Sequence, residues 1–184
     1  HPAATRRQKR TLILERPNMI SDRHSLLNKV PEATLVFWLI KMMSTTVGET
    51  GADFLAFNMH LGIDVTCYLM SGLLALVLFV QLRAQRYIPS LYWLAVVLIS
   101  IVGTLITDNL VDNFHVSLET TTILFSGALA ATFAGWYAVE KTLSIHSITT
   151  TRRELFYWTA ILFTFALDTS AGDLVSERYG IGYA

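Results

Sequence analysis

Apolar residues in this chain come in runs of membrane-span length, separated by short polar breaks. Five runs stand out, at about 34–57, 62–82, 89–112, 119–140 and 154–177. A helix rises about 1.5 Å per residue, so roughly 20 residues cross a hydrocarbon core of ~30 Å. Each run therefore predicts a spanning helix, and the breaks are too short to hold separate soluble domains. The expected fold is all-α, a polytopic membrane helical bundle with five helices in the transmembrane domain 34–184. Residues 1–33 are basic and polar, with one apolar patch at Leu12, Ile13 and Leu14, and read as a cytoplasmic leader.

The runs repeat. Trp38, Trp93 and Trp158 each follow an aromatic residue (Phe37, Tyr92, Tyr157), and each precedes an aspartate by fifteen positions (Asp53, Asp108, Asp173). In the first two copies the match continues from Asn58 to Asn113, His60 to His115 and Asp64 to Glu119. The units span about 34–83, 89–140 and 154–184, and each reads as a helical hairpin. The odd helices all run the same way, so the copies are parallel repeats related by an axis along the membrane normal. The first two hairpins should superpose, carrying Asp53 onto Asp108 and His60 onto His115. Small residues on the motif helices (Ser44, Gly48, Gly51, Ala52, Gly103, Ala171, Gly172) permit close helix approach. The third copy stops at residue 184, where its return helix should open. The bundle is thus expected to be incomplete, with either further native helices or another subunit, as in a homo-oligomer, filling the gap.

Composition changes the picture little, and charge placement changes it more. Apolar residues make up 53% of the chain and charged ones 15%, which suits a lipid bilayer as partner better than a soluble core. The 14 basic and 14 acidic residues balance, so nothing points to nucleic acid. Seven of the basic residues precede Val30, and others occupy alternate loops (Arg83 and Arg86; Lys141, Arg152 and Arg153). The intervening turns near 58–61 and 113–117 have no Lys or Arg. The positive-inside rule then puts the N-terminus in the cytoplasm, with Trp38, Trp93 and Trp158 as interfacial anchors at that side. The lone Cys67 makes no intrachain disulfide and reads as a small buried apolar side chain.

Depth follows from helical rise. Fifteen residues carry Asp53, Asp108 and Asp173 about 22 Å beyond their tryptophans, and Glu49 and Asp168 lie about 15–17 Å beyond, near the midplane. Glu49 with Asp53, and Asp108 with Asp112, share a helix face. An ionised side chain at the bilayer centre costs at least ~2.5–3.5 kcal/mol. These acids are therefore expected to share a polar interior with threonines such as Thr46 and Thr107, with Lys41, or with a cation. His60 with Asp64, and His115 with Glu119, are candidate ligands for a divalent metal ion, set against solvated turn residues. No HExxH pair, nucleophile elbow, phosphate loop or cysteine pair is present, so no enzyme activity is expected. The leading expectation is a transporter-like protein handling a small cation, a metal ion or a proton. The alternative is a membrane scaffold whose acids only pair helices.

The segments FWLIKMMSTTVGETGADFL and FYWTAILFTFALDTSAGDLV resemble repeated segments of a bacterial family known only as uncharacterised membrane-anchored proteins. The resemblance runs from about Lys29 to the end of the chain. It implies a multi-pass inner-membrane protein with more helices beyond this point, and it supplies no activity. It also implies glycine where this chain has Asp168, a position that aligns internally with Gly48 and Gly103.

Overall fold

The computed structural model describes residues 30–31, 34–84, 86–144, 148 and 150–180, and these contain helices and loops with no strand. The leader expected over 1–33 lies, apart from Val30 and Pro31, outside the described residues. Five helices follow in order: α1 (Leu35–Asp53), α2 (Ile63–Arg83), α3 (Pro89–Asp108), α4 (Leu118–Glu140) and α5 (Thr151–Tyr179). Their bounds fall within a few residues of the apolar runs.

Local chemistry sets the starts. The side chains of Thr34, Ser117 and Thr150 accept from the amides of Phe37 (3.3 Å), Thr120 (3.3 Å) and Arg153 (3.4 Å), which satisfies an orphan donor in each first turn. Pro89 opens α3, where a missing amide proton costs nothing. Lys141 and Gly180 close α4 and α5 in the left-handed conformation. Neither α1 nor α3 stops at its aspartate. Phe54–Asn58 and Asn109–Asn113 continue each as a single π-type turn. The chain then reverses through a histidine at positive φ, 55° at His60 and 54° at His115.

By length and composition, α2, α3 with its π turn, and α4 can each cross a bilayer, which makes this a helical membrane protein. The helices α1 and α5 are long but carry more charge, including Lys41, Glu49 and Asp53 on one and Asp168 and Asp173 on the other. The helix α3 is enclosed, with 61% of its apolar window buried, against 17% for α2 and 11% for α4. The outer two helices expose apolar side chains such as Leu69, Leu76, Ile123 and Leu124, as lipid-facing helices do.

The helix α3 packs against α1, α2 and α5, while α4 packs along α5. The two helices of one hairpin scarcely touch each other. What repeats is the interface between motif helices. The ring of Phe37 meets Trp93 at 5.6 Å and 45°, and the matched Tyr92 meets Trp158 at 5.4 Å and 45°. A Cβ on Gly48 would collide with the Ser100 side chain and lie 3.1 Å from the Ile101 nitrogen. A Cβ on Gly103 would lie 3.0 Å from Phe165 Cβ and 3.1 Å from the Ala166 nitrogen. Ser100 matches Phe165 and Ile101 matches Ala166, so the same contact occurs twice. Such close approach is what holds helices together where lipid offers no hydrophobic drive. The main core gathers Tyr92, Ile99, Trp136, Trp158 and Phe165, with a smaller cluster at Ala52, Ala56, Ile101 and Leu105.

Candidate functional site

Because α1, α3 and α5 run parallel and pack by one repeated interface, their aspartates arrive together at one end of the bundle. Asp108 of α3 lies within electrostatic reach of Glu49 and Asp53 on α1, Asp173 on α5, and Asp112 in its own π turn. Glu49 is likewise within reach of Asp53, Asp168 and Asp173, and Asp53 of Asp173. Glu49, Asp108 and Asp173 are half-buried, while Asp53, Asp112 and Asp168 are exposed. Beside them opens a cleft of about 180 Å³ lined in part by Asp108, Asp112, Asp173, Ser176 and Glu177. The helices α1 and α5 both rest on α3 and scarcely pack on each other. The acids nevertheless reach one another across α1 and α5 as well as through Asp108, and so form one cluster.

The threonines take a different part from the one expected. Thr46 donates to Met42 O (3.4 Å), and Thr107 donates to Gly103 O and Ala166 O (both 3.1 Å). The nearest acceptor for a helical hydroxyl is the carbonyl four residues back. Thr107 goes further and bonds α3 to the backbone of α5. Lys41 turns its ammonium toward α5, 5.4 Å from the Phe165 ring and 5.5 Å from its own Trp38.

The paired histidines and acids lie at the same end as the aspartates. Asp64 accepts from Asn109 and from Asn113 (2.9 Å for the latter), and Glu119 accepts from Arg178 (3.2 Å). Asn113 and Arg178 occupy matched positions, so this is again one contact made twice, from the start of a return helix to the end of the next motif helix. The sequence reading matched Asn113 back to Asn58 and missed this role. The signal was there in the acidic residue opening each return helix. Among the described residues no three His, Cys, Asp or Glu side chains converge as metal ligands.

The tryptophans are graded. Trp38 is 51% exposed, Trp93 is half-buried and Trp158 is 3% exposed. Trp93 and Trp158 each receive an aromatic from the preceding motif helix. Three buried polar contacts escaped the sequence reading: the Tyr92 and Tyr157 hydroxyls at 2.5 Å, the Thr104 and Thr169 hydroxyls at 3.2 Å, and Gln81 Nε2 donating to Glu154 Oε1 at 3.2 Å. The first two join matched positions of α3 and α5.

A family model described as Repeat of Unknown Function matches the chain twice, over residues 36–87 and 91–142. The two matches start 55 positions apart, the same offset that carries Gly48 to Gly103 and Asp53 to Asp108. No curated protein and no solved structure matches the chain. With more than half its length matched as two tandem copies, and those copies building one interface in duplicate, the chain belongs to the family of the Repeat of Unknown Function (DUF347).

Proposed function

We propose that this is a transporter-like protein of the bacterial inner membrane, with five spans and its N-terminus in the cytoplasm. It would pass a small cation, a proton or a metal ion, along Glu49, Asp53, Asp108 and Asp173. One observation carries the reading: carboxylates from three parallel motif helices lie within electrostatic reach of one another. Like-charged carboxylates that share one site repel one another, more strongly in a low dielectric than in water. Four such groups need protons or cations to balance them. Asp53 and Asp108 also stand near the C-terminal ends of helices that only a π turn prolongs, toward the end of the macrodipole that disfavours negative charge. The basic residues Arg83, Arg86, Lys141, Arg152 and Arg153 at the tryptophan end support the orientation.

A specific observation also favours the scaffold reading. Asp64 and Glu119 are engaged in joining successive repeats. The two readings part on substitution in proteoliposomes carrying a pH-sensitive dye, then a divalent-cation dye. Asp108→Asn should abolish flux that wild type supports, and Asp64→Asn should not. If wild type moves neither protons nor Mg²⁺ or Mn²⁺, or Asp108→Asn moves them equally well, the scaffold reading replaces the carrier.

A further inference from the structure

The third copy breaks the glycine pattern. Asp168 stands where Gly48 and Gly103 press against their neighbouring helices, and its carboxylate is exposed. Across from it is Lys41. A lysine one turn from an interfacial tryptophan normally runs its stem toward the near headgroups. This one reaches instead to α5, where Phe165, one turn before Asp168, lies 5.4 Å from its ammonium. The charge of Lys41 is felt at Asp168. The ammonium thus lies near two rings, one of them a turn from a carboxylate that the repeat pattern does not require, and the two charges are in electrostatic reach without meeting as an ion pair within 4 Å. Lys41 lies on the tryptophan side of Glu49 and Asp53 on α1, and Asp168 on the tryptophan side of Asp173 on α5.

We propose that Lys41 and Asp168, poised opposite each other, are the two halves of an ionic latch between α1 and α5 that closes the tryptophan end of the acidic cluster. Neither helix depends on the other for packing, since both are seated on α3. Parting them breaks the latch and leaves the two glycine interfaces intact. A tethered ammonium at this point also repels any cation leaving the cluster toward the tryptophan end until the latch swings away. The latch deepens the carrier reading and rests on it for its purpose, but its existence can be tested separately.

Gly172 lies one turn beyond Asp168 on the same helix face, and an added Cβ there meets nothing within 4 Å. In a Cys67→Ser background, a Gly172→Cys reporter in membrane vesicles is exposed to a charged, membrane-impermeant thiol reagent from the tryptophan side. Lys41→Asp and Asp168→Lys should each speed labelling about tenfold, within the usual range of two-state couplings. The charge-swapped double variant should return it to the slow rate. Asp168→Gly, which installs the residue of the matched positions, should also label fast and guards against misfolding of the reversed variants. Equal rates in all variants, or a swap that stays fast, overturn the latch. Absent flux with latch-dependent labelling overturns the carrier reading alone.

Discussion

Glycine at 48 and 103 sets how near the motif helices come, and the two positions are not interchangeable with Gly172. An alanine methyl at 48 or 103 would press on a neighbouring helix at 3.0–3.1 Å or closer. Overpacking of that kind costs about 1–3 kcal/mol, more than the ~1 kcal/mol of helix propensity that alanine gains over glycine. Gly172 has open space and keeps only the gain. Thermal unfolding in detergent should therefore show Gly48→Ala and Gly103→Ala lowering the midpoint, with Gly172→Ala level or higher. A drop at 172 equal to the other two would mean that the repeated interface is not what glycine serves. The same logic explains why an aspartate is tolerated at 168: nothing presses on that position as Ser100 presses on Gly48.

At the scale of elements, helix ends and repeat units were legible because apolar runs and their punctuation are strong signals. The acids could be read too, since any charge inside such a run stands out. Helix faces could not be read. In lipid the outside of a helix is as apolar as its inside, so Ile123 at 72% exposure and Ile99 at 1% look alike in sequence. For the same reason nothing in the sequence told which helix each return helix would lean on, and it leans on the next motif helix. The π turns left no trace except the matched histidines that follow them. Those histidines pay a conformational cost of roughly 1–2 kcal/mol at positive φ that glycine avoids. His115→Gly should thus leave the unfolding midpoint level or raised, with cation flux unchanged, and His115→Val should lower the midpoint. Loss of flux in His115→Gly with the fold retained would return the histidine to a ligand role.

For the whole molecule, the helix order makes one topology testable. Cysteines placed at Arg86 and Thr142 should label from the same side of the membrane, and cysteines at His60 and His115 from the opposite side. Labelling of Arg86 and His60 from one side would refute five spans. The sparse packing within a hairpin also bears on time. The glycine seam of α1 finds its partner only at Ser100 and Ile101, roughly 50 residues later. At about 5–20 residues per second of synthesis, that is about 3–10 s. Through that interval the glycines of α1 have no neighbouring helix to meet, and α4 waits likewise for α5. The nascent chain always trails one unmatched helix, so assembly in the cell runs one repeat behind translation.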